Sequence, residues 1–167
     1  MKCAVVYYSL GGNTAAAAKK IAALTGADVF ALREKNEKRR GVWGFVKSGF
    51  QAAFKMRARL ERDYASETKA YDSLYVGTPV WAGHCAPAVN TFVQNADLSG
   101  KDVTLFFLCA SPEEDYRPAG IDALSAAIRK KGGTVSNVYV WRGGSPGKPA
   151  RAQEIGRQAE EALGKKP

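Results

Sequence analysis

The stretch CAVVYYSLGGNTAAAAKKIAAL (residues 3–24) decides the fold of this chain. Residues 3–9 are mainly apolar, β-branched or aromatic, which is typical of a strand that is covered on both faces. Two glycines and small polar residues follow, and the alanine-rich segment then predicts a helix. Asn13 is expected to cap that helix, and Gly26 stands where a C-terminal helix glycine belongs.

The loop between this strand and this helix predicts a phosphate site. A helix N-terminus offers unpaired N–H groups and the positive end of the helix dipole. Gly11 and Gly12 let the backbone approach an anion, while Ser9, Asn13 and Thr14 add side-chain donors. The loop has no lysine and neither the ATP-type nor the nicotinamide-dinucleotide glycine spacing. The alternative interpretation is a tight, well-capped strand-to-helix turn.

Strands and helices alternate along the rest of the chain. Further strands are predicted at 27–33, 73–77, 102–109 and 134–141, and further helices at 87–96, 118–131 and 148–164. Five strands alternating with helices predict an α/β fold with a parallel sheet between two helical layers. We expect a single domain over residues 1–167, with a basic helical insertion at about 35–68.

Ligands of such sheets bind beyond the carboxyl ends of the strands, at the switch in strand order. The chemistry is therefore expected in the loops 9–14, 78–85 and 110–118. Trp81 is a planar aromatic side chain that suits stacking on a planar ligand, unless it is simply a partly buried core residue. Tyr116 is a second aromatic candidate.

The chain is basic, with 25 Lys and Arg against 16 Asp and Glu and a formal net charge of +9. Residues 33–69 hold eleven of the basic residues and five of the acidic ones. Within this segment, residues 41–60 predict an amphipathic helix that packs on its own core. The alternatives are a docking surface for an acidic redox partner, a homodimer contact or, least favoured, a membrane-surface helix.

Several classes of protein are disfavoured by the residues. Three widely spaced cysteines without a CxxC pair argue against a disulfide framework and a zinc site. No apolar run is long enough to span a membrane, and no signal peptide is apparent, so we expect a cytoplasmic protein. His84 is interpreted as a loop histidine, and no catalytic residue or metal ligand is predicted. Nucleic-acid binding is the weakest option.

Over nearly its whole length the sequence resembles the flavodoxin family. Flavodoxins carry a T/S-x-T-G-N-T-like loop after the first strand, which Ser9, Gly12, Asn13 and Thr14 match. The stretch GTPVW (77–81) matches a loop of a flavodoxin-like branch, and Tyr116 matches the tyrosine that is common after the fourth strand. The resemblance implies a five-stranded doubly wound sheet in the order 2-1-3-4-5 and non-covalently bound FMN; flavodoxin is itself a standard example of this arrangement.

The resemblance also implies roles for particular residues. The loop 9–14 would hold the ribityl phosphate, Trp81 would stack on one face of the flavin, and Tyr116 would cover or edge the other. The peptide around Ala82 and Gly83 would face the flavin N5 and could reorient on reduction. The implied FMN-binding residues are Ser9, Leu10, Gly11, Gly12, Asn13, Thr14, Thr78, Pro79, Val80, Trp81, Ala82, Gly83, His84, Ala110, Ser111 and Tyr116.

Two positions depart from the family pattern. Gly11 stands where a hydroxyl residue is usual, and the segment 111–118 lacks the usual glycine-rich, aspartate-containing pattern. The expected function is electron transfer between redox partners, with docking through residues 33–69, by a monomer or a homodimer. The alternatives are an FMN-dependent NAD(P)H quinone reductase and a cofactor-free module that binds a partner.

Overall fold

The computed structural model of the chain describes residues 1–35, 58–110, 116–144 and 150–164. Its elements in chain order are β1 (Cys3–Tyr7), α1 (Asn13–Thr25), β2 (Asp28–Ala31), α2 (Tyr64–Glu67), β3 (Ser73–Trp81), β4 (His84–Cys85), α3 (Pro87–Asn95), β5 (Asp102–Cys109), α4 (Gly120–Lys130), β6 (Thr134–Arg142) and α5 (Ala152–Gly164). Among the described residues, no helix combines the length and apolar character that crossing a membrane requires.

The strands form one sheet in the order β2-β1-β3-β5-β6. Every neighbouring pair along this path is parallel. The short strand β4 pairs with the end of β3 in the antiparallel sense. Counted over the parallel strands alone, this is the order 2-1-3-4-5, so the predicted doubly wound α/β fold is confirmed, with β4 as an addition.

The two faces of the sheet carry separate apolar cores because successive strand residues point in opposite directions. One core joins β1 and β5 to helices α1 and α5 through Val5, Ile21, Phe106 and Ile155. The other joins the opposite strand faces to α2, α3 and α4. This arrangement gives the three predicted layers and leaves the strand ends free to carry loops.

Gly77 is the position in β3 where a side chain has no room. A Cβ there would lie 2.1 Å from the ring of Phe106 on β5. The glycine lets the ring cross over β3, and the main chain at this point also accepts a hydrogen bond of 3.1 Å from the N–H of Tyr8. The end of β1 is thereby fixed against β3 immediately below the carboxyl edge of the sheet.

The predicted amphipathic helix at 41–60 falls mostly outside the described residues, which omit 36–57. Its last residues, 58–60, are described and are not helical, so that part of the prediction is wrong. Leu60 instead forms an antiparallel bridge with Glu34. The N–H of Lys35 donates to the carbonyl of Arg59 at 2.8 Å, which ties residues 33–35 to 59–61.

Candidate functional site

The glycine loop after β1 borders open space at the carboxyl edge of the sheet. Gly12 has φ +88° and precedes the first residue of α1, a left-handed conformation that favours glycine. The Ser9 hydroxyl accepts a hydrogen bond of 3.2 Å from the Gly12 N–H. A Cβ at Gly11 or at Gly12 would meet no atom within 4 Å. The loop backbone is therefore accessible to a ligand.

Asn13 does not cap α1 as the sequence predicted, because it is the first residue of the helix and Gly12 takes the cap position. Its Nδ2 instead donates to the carbonyl of Gly144 at 3.3 Å, across 131 residues of sequence. Its Oδ1 is buried and has no hydrogen-bond partner among the described residues. The N–H groups of Asn13 and Thr14 lie in the first helical turn, where helices leave their N–H groups without intrahelical partners.

Strand β3 continues through Trp81, although the sequence predicted a loop from Thr78 to Cys85. Trp81 pairs with His84 in the antiparallel sense, so only Ala82 and Gly83 form the turn. Their φ angles are +47° and +84°. Two positive φ angles in a two-residue hairpin define a type I′ turn, whose twist matches that of the flanking strands. The predicted loop is a β-hairpin with a defined backbone.

Two hydrogen bonds and one close backbone contact hold this hairpin in place. The Thr78 hydroxyl is fully buried and accepts a hydrogen bond of 2.9 Å from the N–H of Ala86. The carbonyl of Gly83 accepts a hydrogen bond of 2.8 Å from the N–H of Gly120, the first residue of α4. A Cβ at Gly120 would lie 2.9 Å from the backbone nitrogen of Cys85, so the glycine permits this contact.

Trp81 lies partly buried at the edge of the site. Its ring meets that of Tyr8 edge to face, with the centroids 5.8 Å apart and the planes at 88°. Tyr8 is itself 4% exposed and lies next to the glycine loop. The indole is thus held between core and solvent at the strand end, which is a suitable position for stacking on a planar ligand.

Tyr116 lies beside the hairpin turn. A Cβ at Gly83 would be 4.0 Å from the Tyr116 hydroxyl oxygen, and the tyrosine is 39% exposed. Burial raises the pKa of this hydroxyl above its ordinary value of 10.0, with a smaller contribution from the nearby Cys109 thiol. Ala110, at the start of the same loop, is exposed, while Ser111 lies outside the described residues.

The remaining candidates lie at the same edge of the sheet. Leu10 is 40% exposed at the tip of the glycine loop. Pro79 and Val80 are partly buried on β3, and His84 is exposed on β4. The described residues of the three loops that the sequence singled out therefore lie at one end of the sheet, over the β1–β3 switch in strand order.

A fourth loop, which the sequence did not indicate, also reaches the site. Gly143 and Gly144 follow β6, and a Cβ at Gly143 would lie 3.2 Å from Asn13 Nδ2. The Gly143 N–H donates to the carbonyl of Cys109 at 2.6 Å. The glycine pair at the carboxyl end of the fifth predicted strand is the signal that would have indicated this loop.

The described residues offer no metal centre and no activated thiol. No group of three or more metal-binding side chains occurs among them. Burial raises the pKa of Cys85 to about 12 and that of Cys109 to about 11, so both thiols stay protonated at neutral pH. Among the described residues, this edge presents aromatic surface and backbone donors to a ligand.

Arg33, which follows β2, carries a positive charge near the site. The Leu32 N–H donates to the Tyr7 carbonyl at 2.7 Å, so Arg33 lies beside the end of β1. Burial raises the pKa of the Tyr7 hydroxyl, and the charge of Arg33 partly opposes that shift. Arg33 accepts a backbone hydrogen bond of 2.9 Å from Glu61. Residues 33–35 and 59–61 of the basic segment are therefore fastened to each other beyond the carboxyl end of β2.

A protein-family model described as Flavodoxin matches residues 2–133 of this chain. The chain matches none of the curated proteins. Among solved structures, a candidate flavoprotein from Bacteroides uniformis is similar, with a TM-score of 0.69 and 20% sequence identity, covering 93% of this chain and 96% of the other.

Two further structures carry more specific descriptions. A flavoprotein in complex with FMN from Lactobacillus acidophilus has a TM-score of 0.60 at 21% identity, covering 83% of this chain and 92% of its own. Oxidised flavodoxin 1 from Bacillus cereus has a TM-score of 0.58 at 18% identity, with 96% and 94% covered. These similarities agree with the fold described above.

Proposed function

This chain belongs to the flavodoxin family, and we propose that it binds FMN non-covalently and carries electrons between redox partners. The observation that supports this most directly is a juxtaposition at one edge of the sheet. The open glycine loop at the start of α1 and the partly buried Trp81 lie on neighbouring strands, because Tyr7 of β1 pairs with Gly77 of β3. A phosphate site beside an aromatic surface fits a phosphorylated, planar cofactor.

The residues of the glycine loop fit the phosphate of FMN. The backbone at Gly11 and Gly12 borders space in which a Cβ would meet nothing, and the first turn of α1, which follows directly, leaves N–H groups without intrahelical partners. The 13-residue helix adds the positive end of its dipole. Ser9 is already engaged with the Gly12 N–H, so its hydroxyl oxygen stabilises the loop shape that exposes the other donors.

The residues of the hairpin fit the flavin ring. Trp81 would stack on it, and the Ala82–Gly83 turn would lie at its edge. Tyr116 would lie beside that turn, which its hydroxyl already approaches. Bound FMN would supply the electron-accepting and electron-donating chemistry, while the protein sets its environment. Electron transfer requires no side chain to act as a nucleophile. The buried thiols of Cys85 and Cys109, which stay protonated, are consistent with this.

For the redox partner we propose an acidic protein that docks near the basic segment. Residues 33–69 carry a surplus of six positive charges, eleven against five. Within this segment, residues 33–35 follow β2 and are bonded to residues 59–61 beyond the carboxyl end of that strand. Complementary charge accelerates encounter and weakens with added salt. We therefore expect electron transfer to an acidic acceptor to slow as ionic strength rises, and a salt-independent rate would contradict this docking.

The direct test is a titration of the apoprotein with FMN and with riboflavin, which lacks the phosphate. We expect a yellow complex with FMN and a much weaker one with riboflavin. Trp81→Phe should remove most of the tryptophan quenching on binding while leaving the flavin spectrum in place. A protein that binds neither flavin, or both equally, would overturn the proposed phosphate site.

Two glycine variants form a matched pair for this test. Gly12 and Gly100 have φ angles of +88° and +69°, and a Cβ at either would meet nothing within 4 Å. Gly12→Ala and Gly100→Ala should therefore introduce similar backbone strain. Gly12 precedes α1 at the proposed site, whereas Gly100 precedes β5 at the opposite edge of the sheet. Only Gly12→Ala should weaken FMN binding, by about tenfold or more for the loss of one or two hydrogen bonds.

A further inference from the structure

We propose that the loop after β6, through Gly143 and Gly144, positions Asn13 and so sets the preference of the site for phosphorylated flavin. This inference rests on the proposed binding of FMN. It assigns a role to a loop that lies outside the three loops indicated by the sequence. The role is positioning, because the loop acts on α1 and not on the ligand.

The contact between this loop and α1 is close and specific. A Cβ at Gly143 would lie 3.2 Å from Nδ2, 3.3 Å from Cβ and 3.4 Å from Cγ of Asn13. Such distances are tighter than ordinary van der Waals contact, so an added methyl group would push the asparagine away. The adjoining Gly144 carbonyl accepts the hydrogen bond from Asn13 Nδ2 at 3.3 Å.

Hydrogen bonding alone does not fix the Asn13 side chain. Its one side-chain bond is at the long end of the normal range, and its Oδ1 is buried without a partner among the described residues. The position of the amide is therefore decided by the shape of the space that Gly143 leaves open. Because the added methyl group would also lie 3.3 Å from Asn13 Cβ, which no side-chain rotation can move, relief of this contact would shift the backbone and N–H of the first residue of α1.

The loop itself is held on two sides and cannot easily retreat. The Gly143 N–H donates to the Cys109 carbonyl on β5 at 2.6 Å. On the other side, the Gln158 amide of α5 accepts from the Arg142 N–H at 2.8 Å and donates to the Arg142 carbonyl at 3.0 Å. An added methyl group at residue 143 would thus act on Asn13 rather than on the loop.

The test compares FMN and riboflavin affinities of the full chain and its variants. Gly143→Ala should weaken FMN binding about tenfold, the scale of one lost hydrogen bond to a charged group, and change riboflavin binding less than about twofold. Gly156→Ala is the control, since a Cβ there would meet only Lys20 at an ordinary 3.8 Å. It should leave both affinities unchanged.

Two further variants test the inference, and Gln158→Ala does so without the Gly143→Ala change, in case that variant folds poorly. Asn13→Ala removes Nδ2 and Cγ and keeps only the Cβ contact at 3.3 Å, so adding Gly143→Ala to it should lower FMN affinity less than Gly143→Ala lowers it in the wild type. Gln158→Ala loosens residue 142 without adding atoms and should lower the FMN preference about threefold, less than one full hydrogen bond.

The outcomes distinguish the positioning role of the loop from the proposed binding of FMN. If the wild-type chain binds FMN and Gly143→Ala keeps the wild-type ratio of FMN to riboflavin affinity, the positioning role is wrong while the proposed function stands. Equal weakening of both flavins would also overturn it, because the loop would then act on the fold. A wild-type chain that fails to bind FMN would refute the proposed function and this inference together.

Discussion

Gly77→Ala should be among the most damaging single-methyl changes in this chain. The new Cβ would lie 2.1, 2.3 and 2.8 Å from three atoms of the Phe106 ring. Phe106 is fully buried and packs on Trp141, with the ring centroids 5.8 Å apart. The ring has no free space to enter, so the overlap must be relieved by separating β3 from the core between the sheet and α1 and α5.

The magnitude follows from the depth of this overlap. Overpacking a close-packed core costs typically 1–3 kcal/mol and sometimes more, and an overlap of more than an ångström belongs at the upper end. We therefore expect Gly77→Ala to lower the free energy of unfolding by about 3 kcal/mol. For a chain of this size that corresponds to a fall of about 6–12 °C in Tm. Urea unfolding of the apoprotein, followed by circular dichroism, measures the first quantity, and a thermal melt measures the second.

Gly156→Ala provides a control, because the chemical change is the same but the expected change in the free energy of unfolding has the opposite sign. Gly156 lies within α5, and its Cβ would make only an ordinary contact. Replacing a glycine inside a helix by alanine should raise the free energy of unfolding by about 0.5–1 kcal/mol. Combining Gly77→Ala with Phe106→Leu should cost less than the sum of the two single changes. A Gly77→Ala protein as stable as the wild type would refute the packing argument.

Three further changes probe the hairpin, the thiols and a buried amine. Ala82→Asn should raise the free energy of unfolding by about 0.5–1 kcal/mol in urea titration, because asparagine tolerates the left-handed conformation of a type I′ turn better than alanine. In folded protein at pH 8, a thiol reagent should label only the partly buried Cys3. Burial raises the pKa of Cys85 to about 12 and that of Cys109 to about 11. The stability that these neutral thiols contribute is therefore fully present below pH 9 and is lost as the pH rises through those values, which a series of thermal melts at increasing pH would detect. Lys101→Met should cost about 2–3 kcal/mol in urea unfolding, because the buried amine donates to the carbonyls of Lys69 and Tyr71 and leaves both unpaired when it is removed.

The sequence predicted the central strands β1 and β5 well because they are covered on both faces. Residues 102–109 form one apolar run, and β5 has those bounds. Helix limits followed from residues with a local effect: Pro87 begins α3, and Gly26 ends α1 with φ +69°. The edge strand β2 was predicted too long, as 27–33 against Asp28–Ala31. Its ends are decided by pairing with β1 rather than by their own composition.

The position of Asn13 could not be predicted from nearby residues. Asparagine is a favoured helix cap, although its neighbours Gly12 and Thr14 are also residues that cap helices. The side chain is drawn away by the Gly144 carbonyl, and Gly12 takes the cap in a left-handed conformation. The contact between Asn13 and Gly144 can be recognised only once the end of β6 has been placed beside the start of α1. The missed loop at Gly143 and Gly144 has the same cause.

The hairpin at Trp81 was missed for a different reason. Pro79 cannot donate a ladder hydrogen bond and is rare inside central strands, and Ala82-Gly83 is a weaker turn signal than Asn-Gly. Those local signals favour a loop. The structure extends the strand because Thr78 and Pro79 still pair alongside Phe107 and Leu108 of β5. The side-chain hydroxyl of Thr78 then fixes the return of the chain at Ala86.

The segments that form the walls of the site, namely the glycine loop, the hairpin turn and Trp81, each contact another element of the fold in the absence of a ligand. The glycine loop is held through Asn13 to the end of β6, the hairpin turn is held through Gly83 to the start of α4, and Trp81 packs on Tyr8 beside the glycine loop. Little ordering should then accompany binding at these walls, so little affinity is lost to it. For this reason the difference between FMN and riboflavin affinity should report the phosphate contacts themselves, and a variant that changes this difference should act on those contacts rather than on the folding of the loops.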